Sequence, residues 1–247
     1  MMSSLRSELR KILTVRSTYV ILGITFIILL FFAFYAEGLH ASVKSVADPG
    51  LLAQGAQQAI ITVGLLGALV GVLLVTHEYR YNTIMYTLTA SNSRTKTLLA
   101  KLIVVSGFSI VFSLTVGALA PAMTLAGLHV KGITLVGQHF PIMSILWQTL
   151  FVGWGYSMLA FVLASIVRIQ VGAVSTLFLV PAMLEPILGF VLKEDSIYLP
   201  FNALQSVAKD NPEFLHVSNL RAVVIVLVYF VVGLLVSWQL FLRRDAN

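Results

Sequence analysis

The chain contains no cysteine. That absence excludes a disulfide scaffold, a thiolate metal site, a cysteine nucleophile and a cysteine lipid anchor. Charge is the second shortage: of 247 residues only 11% are charged, against 58% that are hydrophobic. A soluble domain carries about 25% charged residues, so this chain has too little charge to clothe its own core and needs lipid to cover the remainder. Signatures of catalysis are missing as well. There is no phosphate-cradling G-x-x-x-x-G-K-[ST] loop, no H-E-x-x-H and no G-x-S-x-G, so the chain is expected to be neither an enzyme nor the holder of a cofactor. The formal net charge of +6 is not laid out as a basic stripe interleaved with aromatics, which sets nucleic acid aside as a partner.

What is present is apolar sequence in long runs. Six of them, over 19–36, 59–76, 102–128, 142–167, 171–192 and 222–242, reach or approach the roughly 20 residues that cross a bilayer as a helix. The expected fold is all-α: one polytopic transmembrane domain over 1–247 with six spans. The first run follows Arg10, Lys11 and Arg16 as a signal peptide would, but it is longer than a signal core and no A-x-A site follows closely, so it is read as a retained span. Of the sixteen Lys and Arg residues, only Lys44, Lys131, Lys193, Lys209 and Arg221 fall in alternate segments opposite the N-terminus. Because translocating Lys and Arg is disfavoured, both termini are expected in the cytoplasm. Residues 1–18 place Leu5, Leu9, Ile12 and Leu13 at helical spacing among Arg6, Arg10 and Lys11. They are expected to form a short helix in the inner interface, a purely topological signal, or both.

Three segments are candidates for function. Residues 77–101 separate the second and third runs and are too long for a tight turn. Tyr81, Ile84, Met85 and Leu88 would share one face of a short helix, which suits docking against something, before Ser91-Asn92-Ser93 breaks the pattern and Arg94, Lys96 and Lys101 lead into the next span. An ordinary interfacial connector would read the same way. In the fifth run, Pro181 and Pro186 interrupt the helix around Glu185, about two-thirds of the way to the outer face. An acid there costs about 2.5–3.5 kcal/mol at mid-membrane, so it should face protein or water, as a substrate or ion contact or gate in a translocation path, as a cap on backbone groups released by the prolines, or simply near the outer interface. Residues 193–220 are moderately apolar but too broken to span. Gly64, Gly67 and Gly71 read as helix packing. His40, His129, His139 and His216 lack ligand spacing, and no metal site is expected.

Glu78-Tyr79-Arg80 with Thr83, then Thr87-Leu88-Thr89-Ala90-Ser91 and Arg94…Lys101, resemble the signature of type-2 ATP-binding cassette (ABC) exporter permeases, roughly E-x-x-x-G-T followed by a T-L-x-x-S-P-like turn, Arg and Lys. Asn82 stands where that family often has Gly, and Asn92 where Pro is common. Glu8-Leu9-Arg10-Lys11 with Thr14 and Arg16-Ser17-Thr18 are similar to the family's N-terminal pattern, so the resemblance covers essentially the whole chain. It implies a permease subunit of an ATP-driven exporter in a bacterial inner membrane, paired with a second membrane subunit, identical or different. Separate ATPase subunits, which hold ATP and magnesium, would dock on residues about 77–95. His77, Glu78, Tyr79, Arg80, Thr83, Met85, Leu88 and Arg94 would then carry the coupling contacts, with Glu78 and Arg80 rimming the apolar face. Short re-entrant or extracellular helices would follow the fifth span. Few intramembrane charges point to an amphipathic or apolar cargo such as a drug, antibiotic, peptide or lipid. An ion-coupled transporter or channel working through Glu185 and a non-transporting scaffold are the other readings; the first calls for internal repeats and further midplane charges, which the chain lacks.

Overall fold

The computed structural model describes residues 2–41, 49–91, 93–133, 142–209 and 217–243, and every regular element among them is helical. In chain order these are α1 (Met2–Thr14), α2 (Arg16–Leu39), α3 (Pro49–Arg80), α4 (Ile84–Ser91), α5 (Arg94–Val130), α6 (Ile142–Val167), α7 (Gln170–Tyr198), α8 (Pro200–Lys209) and α9 (Val217–Arg243). Among the described residues, α2, α3, α5, α6, α7 and α9 contain the six stretches long and apolar enough to cross a membrane, the build of a multi-pass membrane protein.

The helices overrun their apolar runs. α3 continues past residue 76 to Arg80, and α5 starts at Arg94, eight residues before its apolar run. Hydropathy marks where lipid would end, whereas a backbone hydrogen-bond ladder ends only where a cap satisfies its orphan groups. The start of α5 is such a place: Ser93, with φ −164°, accepts the N–H of Lys96 at 3.4 Å. At the N-terminus, extended backbone at Val15 (ψ 125°) separates α1 from α2, so the expected helix over 1–18 is two helices.

Burial sorts the helices into an axis and a shell. The most apolar window of α6 is 72% buried and that of α3 67%, against 22% for α2 and 17% each for α7 and α9. α6 is apolar all round, the pattern of a helix enclosed by others. The shell helices turn large apolar side chains outward, Phe190 at 87% exposure and Val191 at 73% among them, a surface that lipid covers and water would not.

Close approach depends on small residues. Gly67 and Gly71 seat Phe112 and Val105 of α5, so this stripe packs inside the bundle. Tighter still is the crossing of α2 and α5. A Cβ on Gly127 would lie 2.5 Å from the Phe34 carbonyl oxygen and 2.7 Å from the Gly38 Cα, backbone atoms that cannot rotate aside. Gly127→Val is therefore expected to cost about 3 kcal/mol, the upper end of ordinary overpacking. Thermal unfolding in detergent measures it, with Gly23→Ala, which meets nothing within 4 Å, as the unaffected control.

α7 is interrupted where its prolines fall. Pro181 has no N–H to give, and the backbone widens into a π-helical turn over Val180–Leu184 around it before the α-helix resumes at Glu185. After a 3-10 stretch over Lys193–Tyr198, the chain folds back as α8. Phe201, Ala203, Leu204, Val207 and Ala208 form its buried face. The Phe201 ring lies 5.5 Å from that of Tyr156, halfway along α6, and Leu204 occupies the space that a side chain at Gly155 would need.

Candidate functional site

At the end of the bundle where the N-terminus lies, α3 stops, α4 hangs as a separate short helix, and α5 begins. The stop is built from backbone. Thr83 donates its N–H to the Glu78 carbonyl at 2.9 Å and Asn82 to that of Tyr79 at 3.3 Å, the paired closure of a Schellman motif. Its hinge is Asn82 with φ 53°, a left-handed conformation that Gly adopts freely and Asn tolerates. Asn82→Gly is thus expected to hold stability within about 0.5 kcal/mol, while Asn82→Val should lose about 1–2 kcal/mol through its branched side chain. The thermal midpoints of the two variants measure the difference.

α4 is anchored by one side and open on the other. Ile84 is 2% exposed and sits in the core, whereas Met85 is 54%, Tyr86 78% and Tyr81, in the turn before it, 61% exposed. The expected common face of Tyr81, Ile84 and Met85 is split, because the helix starts only at Ile84 and that residue is the anchor. The side chain of Leu88, Asn92, His139 and His216 lie outside the described residues.

Glu78 departs most from its expected place. It is 4% exposed and does not rim an apolar face. Its Oε1 receives the ammonium of Lys101 at 2.9 Å, the Thr87 hydroxyl of α4 at 3.2 Å, and Lys11. Lys101, expected only to lead into the next span, is 2% exposed and reaches Glu8 at 3.0 Å, and Glu8 takes Lys11 at 2.6 Å. Two acids and two bases from α1, α3 and α5 thus close a ring without net charge. Lys101 also donates to the Leu74 carbonyl at 3.3 Å. Burial works to lower the pKa of the Lys11 ammonium, but the hydrogen bond and charge of Glu78, followed by those of Glu8, outweigh it and hold the group above the ordinary lysine value. α1 shows the same logic: Leu5, Glu8 and Ile12 share its inward stripe, leaving Leu9 and Leu13 outward at 49% and 55% exposure.

The arginines of this end brace the last helix. Arg94 donates to the carbonyls of Phe241 (3.4 Å) and Leu242 (3.2 Å), and Arg168 to that of Leu240 (3.0 Å). Arg168, itself at φ 62°, lies over the rings of Tyr79 (5.2 Å) and Phe241 (5.7 Å). Cations on C-terminal carbonyls complement the helix dipole. Arg80 donates to the Gln170 side chain at 3.0 Å, and His77, half-buried, meets the Tyr81 ring edge-on. Two cavities flank the end of α3. One of about 470 Å³ lies between α3 and the α1–α2 junction, lined by residues that include Ile12, Val15, Leu73, His77 and Tyr86. The other, of about 480 Å³, is lined by Tyr79, Arg80, Asn82, Arg168 and Gln170 among others.

Of the fifth-run cluster, Pro181 is buried and Pro186 exposed. Glu185 is 1% exposed, and its two oxygens accept the N–H groups of Phe201 (3.0 Å) and Asn202 (2.6 Å), the uncapped first turn of α8. The acid thus caps backbone groups of α8 rather than groups freed by the prolines. Sequence reasoning passed over Glu8 and Lys11 as a pair. The usable signal was an acid on the stripe shared with Leu5 and Ile12, three residues before a lysine. Compared with protein-family models and with curated proteins, the chain matches none.

Proposed function

We propose that the chain is the membrane-spanning permease subunit of an ATP-driven ABC exporter, working in a bacterial inner membrane with a second membrane subunit and two separate ATPase subunits. The observation that carries this reading is α4: a short helix hung from the bundle end, presenting Met85 and Tyr86 outward beside Tyr81 of the preceding turn, while Ile84 and the Thr87–Glu78 hydrogen bond tie it inward. Aromatic residues and Met clustered on an exposed, braced element have the composition of an interface centre. The excess of Lys and Arg at this end supports a cytoplasmic location, where an ATPase resides. ATP-driven closure of the ATPases would move α4, and the motion would pass to α3, α5 and α1 through Ile84 and the ion ring. Pro181, Glu185 and Pro186 would mark where α7 bends beside the translocation path, with Glu185 carrying α8 along. The scarcity of charge within the spans favours an amphipathic or apolar cargo. Ion coupling through Glu185 would require that acid to bind and release an ion, and both its oxygens are engaged by backbone N–H groups.

The test is co-purification from solubilised membranes. Wild type is expected to bring down an ATPase with measurable turnover. Met85→Asp/Tyr86→Asp, on exposed positions that leave the ring intact, is expected to weaken that association by about 30-fold or more, as loss of an aromatic interface anchor does. Wild-type protein that brings down no ATPase, with flux driven by an ion gradient alone, would sink the reading.

A further inference from the structure

The cavity of about 470 Å³ beside α3 combines two kinds of wall. Val70, Leu73 and Leu74, from within the second span, and Ile12 and Val15, from the α1–α2 junction, make its depth apolar. From Val70 to Glu78 the wall follows α3 for about 12 Å, at 1.5 Å per residue. Lys11, His77 and Glu78 are among its polar lining, with Oε1 of Glu78 already engaged by Lys11, Lys101 and Thr87. An ammonium has three donors; Glu8 and Glu78 take two from Lys11, whose side chain remains 32% exposed. The helix carrying Lys11 adds Arg6 and Arg10 against the single acid Glu8, and Arg16 follows it. A volume of this size suits a ligand of tens of atoms with few polar contacts.

We propose that this cavity binds an amphiphile with an alkyl chain and an anionic head, a carboxylate or phosphate, with the chain against Val70, Leu73 and Leu74 and the head on the third donor of Lys11. The adjacent leaflet is the natural source, because the apolar wall belongs to a span while the exposed ammonium of Lys11 lies at its end. Such an occupant would wedge between α1 and α3, next to the ion ring and to Tyr86 of α4. The site does not depend on an ATPase partner, so its failure and that of the transporter reading are separate outcomes.

The probe is cis-parinaric acid, titrated into the full-length protein in an uncharged detergent. Saturable one-site binding is expected, displaced about ten-fold more effectively by palmitate than by hexadecanol, which has the same chain without the charge. Leu73→Trp, which fills the cavity, should weaken the probe about ten-fold or more, while Phe26→Trp, in the separate apolar groove between α2 and α5, should leave it unchanged. Val70→Phe intrudes on the same wall and replaces Leu73→Trp if that variant elutes as aggregate. Displacement by phosphatidylglycerol but not phosphatidylcholine would identify a bilayer lipid as the source, and its absence a free fatty acid; either upholds the chemistry. Equal displacement by palmitate and hexadecanol, or wild-type probe affinity in both cavity-filling variants, overturns it.

Discussion

Lys101→Met is expected to destabilise the protein by about 3–5 kcal/mol, a large part of any domain's total stability. The side chain it removes is 2% exposed and joins Glu8 at 3.0 Å to Glu78 at 2.9 Å. Without it, two carboxylates on residues 2% and 4% exposed share one ammonium, Lys11, and the ring carries an uncompensated negative charge. The loss comes from that orphaned charge more than from the bond removed, since an apolar replacement of the whole set could be nearly neutral. The double variant Lys101→Met/Glu8→Gln restores neutrality with Lys11 and Glu78 as the remaining pair, and should recover a good part of the loss. Thermal unfolding of wild type, both single variants and the double variant forms the cycle. A double variant no more stable than Lys101→Met would mean that the ring is not an electrostatic unit.

Glu185→Ala is expected to cost about 3 kcal/mol, because two hydrogen bonds to a carboxylate are lost and two N–H groups of α8 are left buried. The effect should be local before it is global. Amides of Phe201 and Asn202 should lose protection in hydrogen exchange, since their acceptors at 3.0 and 2.6 Å are gone. Glu185→Gln keeps one acceptor oxygen and should show about half the loss. Unchanged exchange at both amides in the alanine variant would show that the acid does not hold α8 in place. Transport by Glu185→Gln separates the two roles: an anchor tolerates the amide, a group that must bind an ion does not.

Much of the architecture was legible because it depends on composition alone. Chains with 11% charge and long apolar runs have few ways to satisfy their backbone outside helices, so the six spans follow from hydropathy without knowledge of their packing. α4 was legible for a similar reason: Ser91 to Ser93 interrupt a periodic stretch, and Ser93 caps α5. Helix ends were less legible, because caps rather than hydropathy set them, as the Asn82 turn illustrates. The functional residues split along the same line. The spacing of Tyr81, Ile84 and Met85 located a short helix but not its faces, and Glu78 was placed at the rim of an apolar face by the family resemblance, since its partners Lys11 and Lys101 lie on other helices.

By itself, then, the sequence determined that the chain is helical and multi-spanning, where its apolar segments lie, and which short stretch breaks from them. Only the tertiary structure decided what each charge is for. Glu8, Lys11, Glu78 and Lys101 are brought together from three helices, and Glu185 meets its partners sixteen and seventeen residues along the chain. A helix period reports which residues share a face, but the energy of a buried charge depends on what lies within a few ångströms across the interface. That distance is set by packing, and no local pattern encodes it.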